Sequence, residues 1–124
     1  MRQSKSVVVA VDDDRRVRES IQSVLESAGY ETEVYASAET LFDSGCVARA
    51  ACVVADVKLP GLDGIELQRR IRLQLPDMPV IFITAHDDDD IRQQALRGGA
   101  VAFMVKPFDA GELLERIDAV LNAA

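Results

Sequence analysis

Residues 52–64 read CVVADVKLPGLDG, and the fold follows from how this stretch is parsed. Cys52–Ala55 is a short, wholly apolar run, as expected of a strand buried on both faces, and Asp56 is the first polar position after it. Leu59-Pro60-Gly61-Leu62-Asp63-Gly64 is dense turn chemistry, with Asp63 placed to cap a helix running to about Leu75. Strand, turn, helix is therefore the local unit, and it recurs on both sides. Upstream, Val7–Val11 reads as another doubly buried strand, followed by a helical pattern (Val17, Ile21, Val24, Leu25, Ala28) that Gly29 stops. Glu31–Ala36 reads as a strand, and Ser37 caps a short helix through Phe42 without a full capping box, since Thr40 stands three residues on. Downstream, Pro76 and Pro79 bracket a connection into the strand Val80–Ile83. Asp87–Arg97 is helical with Ile91, Ala95 and Leu96 on one face, and Gly98-Gly99 closes it. Val101–Val105 is the fifth strand, and Asp109 starts a helix whose apolar face is Leu113, Leu114, Ile117, Val120 and Leu121.

Five strands and five helices in strict alternation predict an α/β domain over residues 1–124, a parallel sheet with helices on both faces and right-handed crossovers. The doubly wound, flavodoxin-like strand order 2-1-3-4-5 puts its switch point between the first and third strands, with ligands at the carboxyl edge.

Composition narrows the function classes. The 124 residues are 48% hydrophobic and 28% charged, suited to one globular domain. Apolar runs of about six residues fall far short of the roughly 20 that span a bilayer. Met1–Ser6 is polar, unlike a secretion signal, so a cytoplasmic location is expected. The net charge of −7 argues against direct nucleic-acid binding by this domain. Two cysteines make no disulfide framework: Cys52 reads as a buried small hydrophobe, and Cys46 follows Gly45 in a loop.

The acidic charge is clustered, with seven of 21 acidic residues in Asp12–Asp14 and Asp87–Asp90. The first strand ends in Asp12-Asp13, the third in Asp56, the fourth in Thr84 and the fifth in Lys106. Across the switch point three carboxylates should converge, which requires a raised pKa or a bound cation. Carboxylate oxygens without cysteine favour Mg²⁺ or a similar hard ion. A lone aspartate after a strand ordinarily caps a helix; five polar residues at four strand ends do not reduce to that.

This set resembles the receiver domains of two-component response regulators over essentially the whole chain. The matching segments are Val11-Asp12-Asp13-Asp14, Val54 through Gly64, Ile83-Thr84-Ala85 and Lys106-Pro107-Phe108. In detail it is similar to receivers of nitrogen-fixation-type transcriptional regulators; Leu59, Leu62 and Asp14 stand where that family often has Met, Met and Glu. The resemblance implies a phosphorelay module rather than a free enzyme. Asp56 would accept a phosphoryl group from the phosphohistidine of a sensor histidine kinase. Mg²⁺ (or Mn²⁺) would be bound by Asp13, Asp56 and the Lys58 main-chain carbonyl, with Asp12 acting through water. Thr84, Ala85 and Lys106 would serve the phosphoryl group, Phe103 would be the aromatic that follows Thr84, and Lys58 and His86 would tune hydrolysis. The Lys106–Pro107 bond would be cis. The resemblance further implies a switching face made of the fourth helix, fifth strand and fifth helix, a phosphorylation-dependent homodimer, and a C-terminal DNA-binding output domain outside this chain.

Each role has a plainer counterpart. Phe103 in a strand is ordinarily core, a lone exposed His86 ordinarily has no role, and Asp87–Asp90 reads more simply as charge at the positive end of a helix dipole than as a metal site. Two rival readings fit the residues less well. An aspartate-nucleophile phosphatase would need a second carboxylate two residues after the nucleophile, where Lys58 stands, and no phosphate-binding glycine loop follows the first strand. A pseudo-receiver that binds partners without phosphorylation would have lost one of the acidic or lysine positions, and all are present. The last helical pattern ends near Ala124, which suits a free-standing receiver or one followed by a linker.

Overall fold

The computed structural model describes residues 7–122; the reading of Met1–Ser6 as a polar lead-in lies outside them. The order is β1 (Val7–Val11), α1 (Arg15–Ser27), β2 (Glu31–Tyr35), α2 (Ala38–Ser44), a 3-10 helix (Cys46–Arg49), β3 (Cys52–Ala55), α3 (Gly64–Gln74), β4 (Val80–Thr84), α4 (Asp89–Arg97), β5 (Ala102–Val105) and α5 (Ala110–Leu121). The strands form one parallel sheet in the order β2-β1-β3-β4-β5, as the alternation predicts.

The strands are apolar at every position of β1 and β3 and throughout β4 up to Thr84, yet they still alternate faces. Val7, Val9, Val11, Val53, Ala55, Val80 and Phe82 pack with Leu41 of α2, Leu67 and Ile71 of α3 and Ala95 of α4. Val8, Ala10, Cys52, Val54, Ile81, Ile83, Ala102 and Met104 pack with Ile21 and Leu25 of α1 and Leu113 and Ile117 of α5. Two cores, one on each face, leave the sheet's edges along the strand direction as the open positions. No helix among the described residues is long and apolar enough to cross a membrane.

Several local expectations need correcting. Cys46 is not in an open loop: it begins the 3-10 helix, and both it and Val47 are buried against the sheet. The helix after Ser37 runs to Ser44, because Gly45 at φ 75° is what ends it. The fourth helix starts at Asp89 rather than Asp87, since the Asp88 carboxylate takes the cap by accepting from the Asp90 and Ile91 N–H groups. Only Ala95 of that helix is buried; Leu96, placed on its apolar face by spacing, is 45% exposed. Val101 precedes β5 and is likewise exposed.

Candidate functional site

The sheet ladder itself sets the level of the site. Beyond the strand ends, Asp12 N–H donates to the Tyr35 carbonyl (3.1 Å), Asp56 N–H to the Val11 carbonyl (3.0 Å), and Lys106 N–H to the Thr84 carbonyl (2.8 Å). Each polar residue is thus held by the strand beside it, and Asp12, Asp13 and Asp56 come together: a carboxylate oxygen from each lies within 4.8 Å of the others. Asp12 and Asp56 are buried, whereas Asp13 is exposed.

Lys106 enters this cluster and bridges it. Its Nζ donates to Asp56 Oδ2 at 2.8 Å and lies 2.9 Å from Asp12 Oδ2. Burial opposes the charge on the ammonium, but the hydrogen bonds to Asp56 and Asp12 outweigh it and hold the lysine pKa above its usual value. Burial also acts on Asp12, raising its carboxyl above the usual range despite the pull of Lys106 and of the Asp14 N–H, which donates to Oδ1 at 2.9 Å. Three carboxylates against one ammonium leave an excess of negative charge. The oxygens present, with no cysteine or histidine among the grouped residues, could hold a hard cation.

The remaining predicted residues surround this cluster. Thr84 is fully buried at the end of β4, and its hydroxyl oxygen accepts from the His86 N–H at 3.2 Å. Ala85 and His86 are exposed at the rim, as is Lys58, whose N–H donates to Asp56 Oδ1 at 3.0 Å. The Lys106–Pro107 peptide is cis. Asp87–Asp90 does not join the cluster; it supplies the α4 cap and an ion pair from Asp87 to Arg92 at 2.7 Å.

Two contacts had no counterpart in the sequence reading. Phe103, half-buried on β5, lies under the Arg92 guanidinium, 4.8 Å from ring centroid to cation. Glu39 of α2 reaches the β3–α3 loop, where its Oε2 accepts from the Leu62 N–H at 2.9 Å. Arg92 and Glu39 sit on polar helix positions, and a residue's reach to an element 11 or 23 positions away leaves no local pattern.

A doubly wound parallel sheet with an acidic pocket at its switch point and a partly buried lysine reaching into it defines a class of α/β signalling and ligand-binding proteins. Comparison with known sequences narrows it: residues 8–118 match the response regulator receiver domain model, and the chain belongs to that family. It is 35% identical over 121 residues to the transcriptional regulatory protein FixJ of Bradyrhizobium diazoefficiens, covering 98% of this chain and 59% of that protein. It is 36% identical over 119 residues to the C4-dicarboxylate transport transcriptional regulatory protein DctD of Pseudomonas aeruginosa, covering 96% of this chain and 26% of that one. Among solved structures, a CheY-like receiver domain from Methanospirillum hungatei superposes with a TM-score of 0.87 at 30% identity, covering 96% of this chain and 95% of the other. The chain spans only part of the length of these two transcriptional regulators.

Proposed function

We propose that this chain is a phosphorelay switch: Asp56 accepts a phosphoryl group from a histidine kinase, and the charged product biases the α4–β5–α5 face toward an output domain or partner in transcription control. The observation that carries this reading is the 2.8 Å bond from Lys106 to Asp56 inside a three-carboxylate cluster at the switch point. An Asp56 carboxylate oxygen attacks phosphorus, the phosphorus–nitrogen bond of the donor's phosphohistidine breaks, and the imidazole nitrogen leaves with the electron pair. The product is an acyl phosphate. Lys106, already on the carboxylate, supplies a cation beside the oxygens where charge accumulates. The Thr84 hydroxyl, whose oxygen is occupied as an acceptor, still has its proton to offer a phosphoryl oxygen, with Ala85 leaving room. Lys58 and His86, exposed at the rim, sit where they can control water access and so the life of the product. An apolar groove lined by Val17, Val24, Pro107 and Phe108 opens beside Lys106 and offers the kinase an apolar seat.

Mg²⁺ (or Mn²⁺), when bound, would neutralise charge on the phosphoryl oxygens. Asp13 and Asp56 with the Lys58 carbonyl would hold it directly. Asp12, the most deeply buried of the three and with its carboxyl raised above the usual range by burial, would act through water. Incubation with acetyl phosphate and Mg²⁺ should add one phosphoryl group per chain by intact mass; a chain that takes none would remove the reading. Independently, Mg²⁺ at ten times its Kd should stabilise the native state by about 1.4 kcal/mol, a shift of a few degrees in Tm. Asp13→Asn should blunt that shift, and a wild-type Tm indifferent to millimolar Mg²⁺ would count against the cluster as a cation site.

Output should run through Phe103. Its ring is held under Arg92, which is tied to Asp87 three residues past Thr84. Drawing Thr84 and Lys106 toward a phosphoryl group therefore disturbs both ends of that contact, and Phe103 turns inward as it loosens. Leu96, Val101 and Val105, at 45%, 43% and 36% exposure, give the same face apolar area for a homodimer. Amide shifts or hydrogen exchange with a phosphoryl mimic should change across residues 87–108, with a coupling of about 1–3 kcal/mol. Changes confined to the loops around Asp13 and Asp56 would sink the switch. The cytoplasm is the compartment this reading requires.

A further inference from the structure

The β3–α3 loop carries Lys58, so whatever fixes this loop acts on the site. Its own backbone contributes two bonds: Lys58 N–H to Asp56 Oδ1 at 3.0 Å and Gly64 N–H to the Val57 carbonyl at 2.8 Å. Leu59 and Leu62 seat its inner side against the core. Among the described residues one side chain from another element hydrogen-bonds to its main chain, Glu39, through the Leu62 N–H at 2.9 Å. Gly61 makes this approach possible. It has φ 73°, and a Cβ there would stand 2.5 Å from the same Glu39 oxygen. The Leu62 N–H, more than any other contact, holds the Glu39 carboxyl below the usual carboxylate range, so the acceptor is ionised at neutral pH. An acid in the first turn of α2 would ordinarily serve its own helix dipole. Here the same carboxylate also bonds a main-chain donor 23 residues away.

We propose that Glu39 is a positioning residue: its carboxylate clamps the Gly61–Leu62 turn, keeps the Lys58 backbone in place beside Asp56, and thereby sets the Mg²⁺ affinity of the phosphoacceptor site. The inference rests on the reading of Lys58 and Asp56 given above. Glu39 is exposed, so substitutions there leave the core intact. A charge-assisted hydrogen bond at such a position contributes enough to shift a local equilibrium about five- to tenfold.

Glu39→Ala and Glu39→Gln in the full chain test it, with three measurements on each. The Leu62 amide, read without metal, should exchange about five- to tenfold faster in Glu39→Ala. Mg²⁺ affinity, read by amide shifts, should weaken by a similar factor. Labelling by acetyl phosphate should slow at limiting Mg²⁺ and return to within about twofold of wild type at saturating Mg²⁺. Glu39→Gln keeps a side-chain carbonyl acceptor and should recover most of each effect. Unchanged Leu62 exchange and Mg²⁺ affinity in Glu39→Ala, in a wild type that binds Mg²⁺ and is labelled, would overturn the clamp alone. Equal weakening in the Ala and Gln variants would overturn it too, by showing that net charge and not the hydrogen bond is felt. A wild type that neither binds Mg²⁺ nor takes a phosphoryl group would overturn the site reading and the clamp with it.

Discussion

Asp56→Asn should reduce labelling by acetyl phosphate to less than about one hundredth of wild type, because no other carboxylate combines reach with the contact to Lys106 that Asp56 has. The three grouped acids differ in what they can do. Asp12 is the more deeply buried, at 1% exposure against 6% for Asp56, and burial raises its carboxyl above the usual range, which works against the ionised form that attack requires. Asp13 is exposed and among the described ion pairs has none with Lys106, so a phosphoryl group forming there would lack the ammonium beside it. Asp56 is buried yet open to the cluster, and its Oδ2 already meets Lys106. An asparagine keeps shape and size but offers a neutral amide, a far weaker nucleophile toward phosphorus. Intact-mass analysis of wild type and variant under identical donor and Mg²⁺ concentrations reads the result directly. Equal labelling of Asp56→Asn would transfer the role to Asp13 or Asp12.

What the sequence made legible, and what it did not, follows from the range of the forces involved. Doubly buried strands announce themselves as apolar runs, so β1, β3 and β4 were readable to within a residue, and their polar ends named the site. The alternation then gave the strand order through a general topological rule rather than through any one residue. Boundaries failed where a competing local bond decided them. Asp87 and Asp88 are equally good caps by type, and only the folded loop hands that role to Asp88. Cys46 and Val47 looked like loop because Gly45 precedes them, yet tertiary packing buries both in a 3-10 turn. In the site the residue identities were visible but their partners were not. That Lys106 spans Asp12 and Asp56 depends on a contact 50 residues apart in sequence. Glu39 and Arg92 are ordinary surface residues in the sequence and acquire meaning only from the loop and the ring they touch.

Gly64→Ala should be the most damaging single methyl group in the molecule. Gly64 is buried, and a Cβ on it would lie 2.3 Å from the Asp56 carbonyl oxygen and 2.8 Å from the Val57 Cα. Both neighbours are backbone, so no side chain can rotate away. They also belong to the segment that the β1–β3 pairing holds through the Asp56 N–H to Val11 bond at 3.0 Å. Gly98 offers a contrast: a Cβ there would meet the Gln68 carboxamide at 2.5 Å, a side-chain end that can yield. At Gly64 relief must come from moving the first turn of α3 or the backbone of Asp56 itself. Overpacking of this kind costs about 2–3 kcal/mol, which for a domain of this size lowers Tm on the order of 10 °C. The same displacement should reach the chemistry, because the Gly64 N–H bond to the Val57 carbonyl at 2.8 Å and the Lys58 N–H bond to Asp56 both depend on that backbone. Thermal unfolding and acetyl phosphate labelling, measured at a temperature where the variant is fully folded, should therefore fall together. A Gly64→Ala protein within two or three degrees of wild type and labelled at the wild-type rate would mean that the α3 start does not press on Asp56.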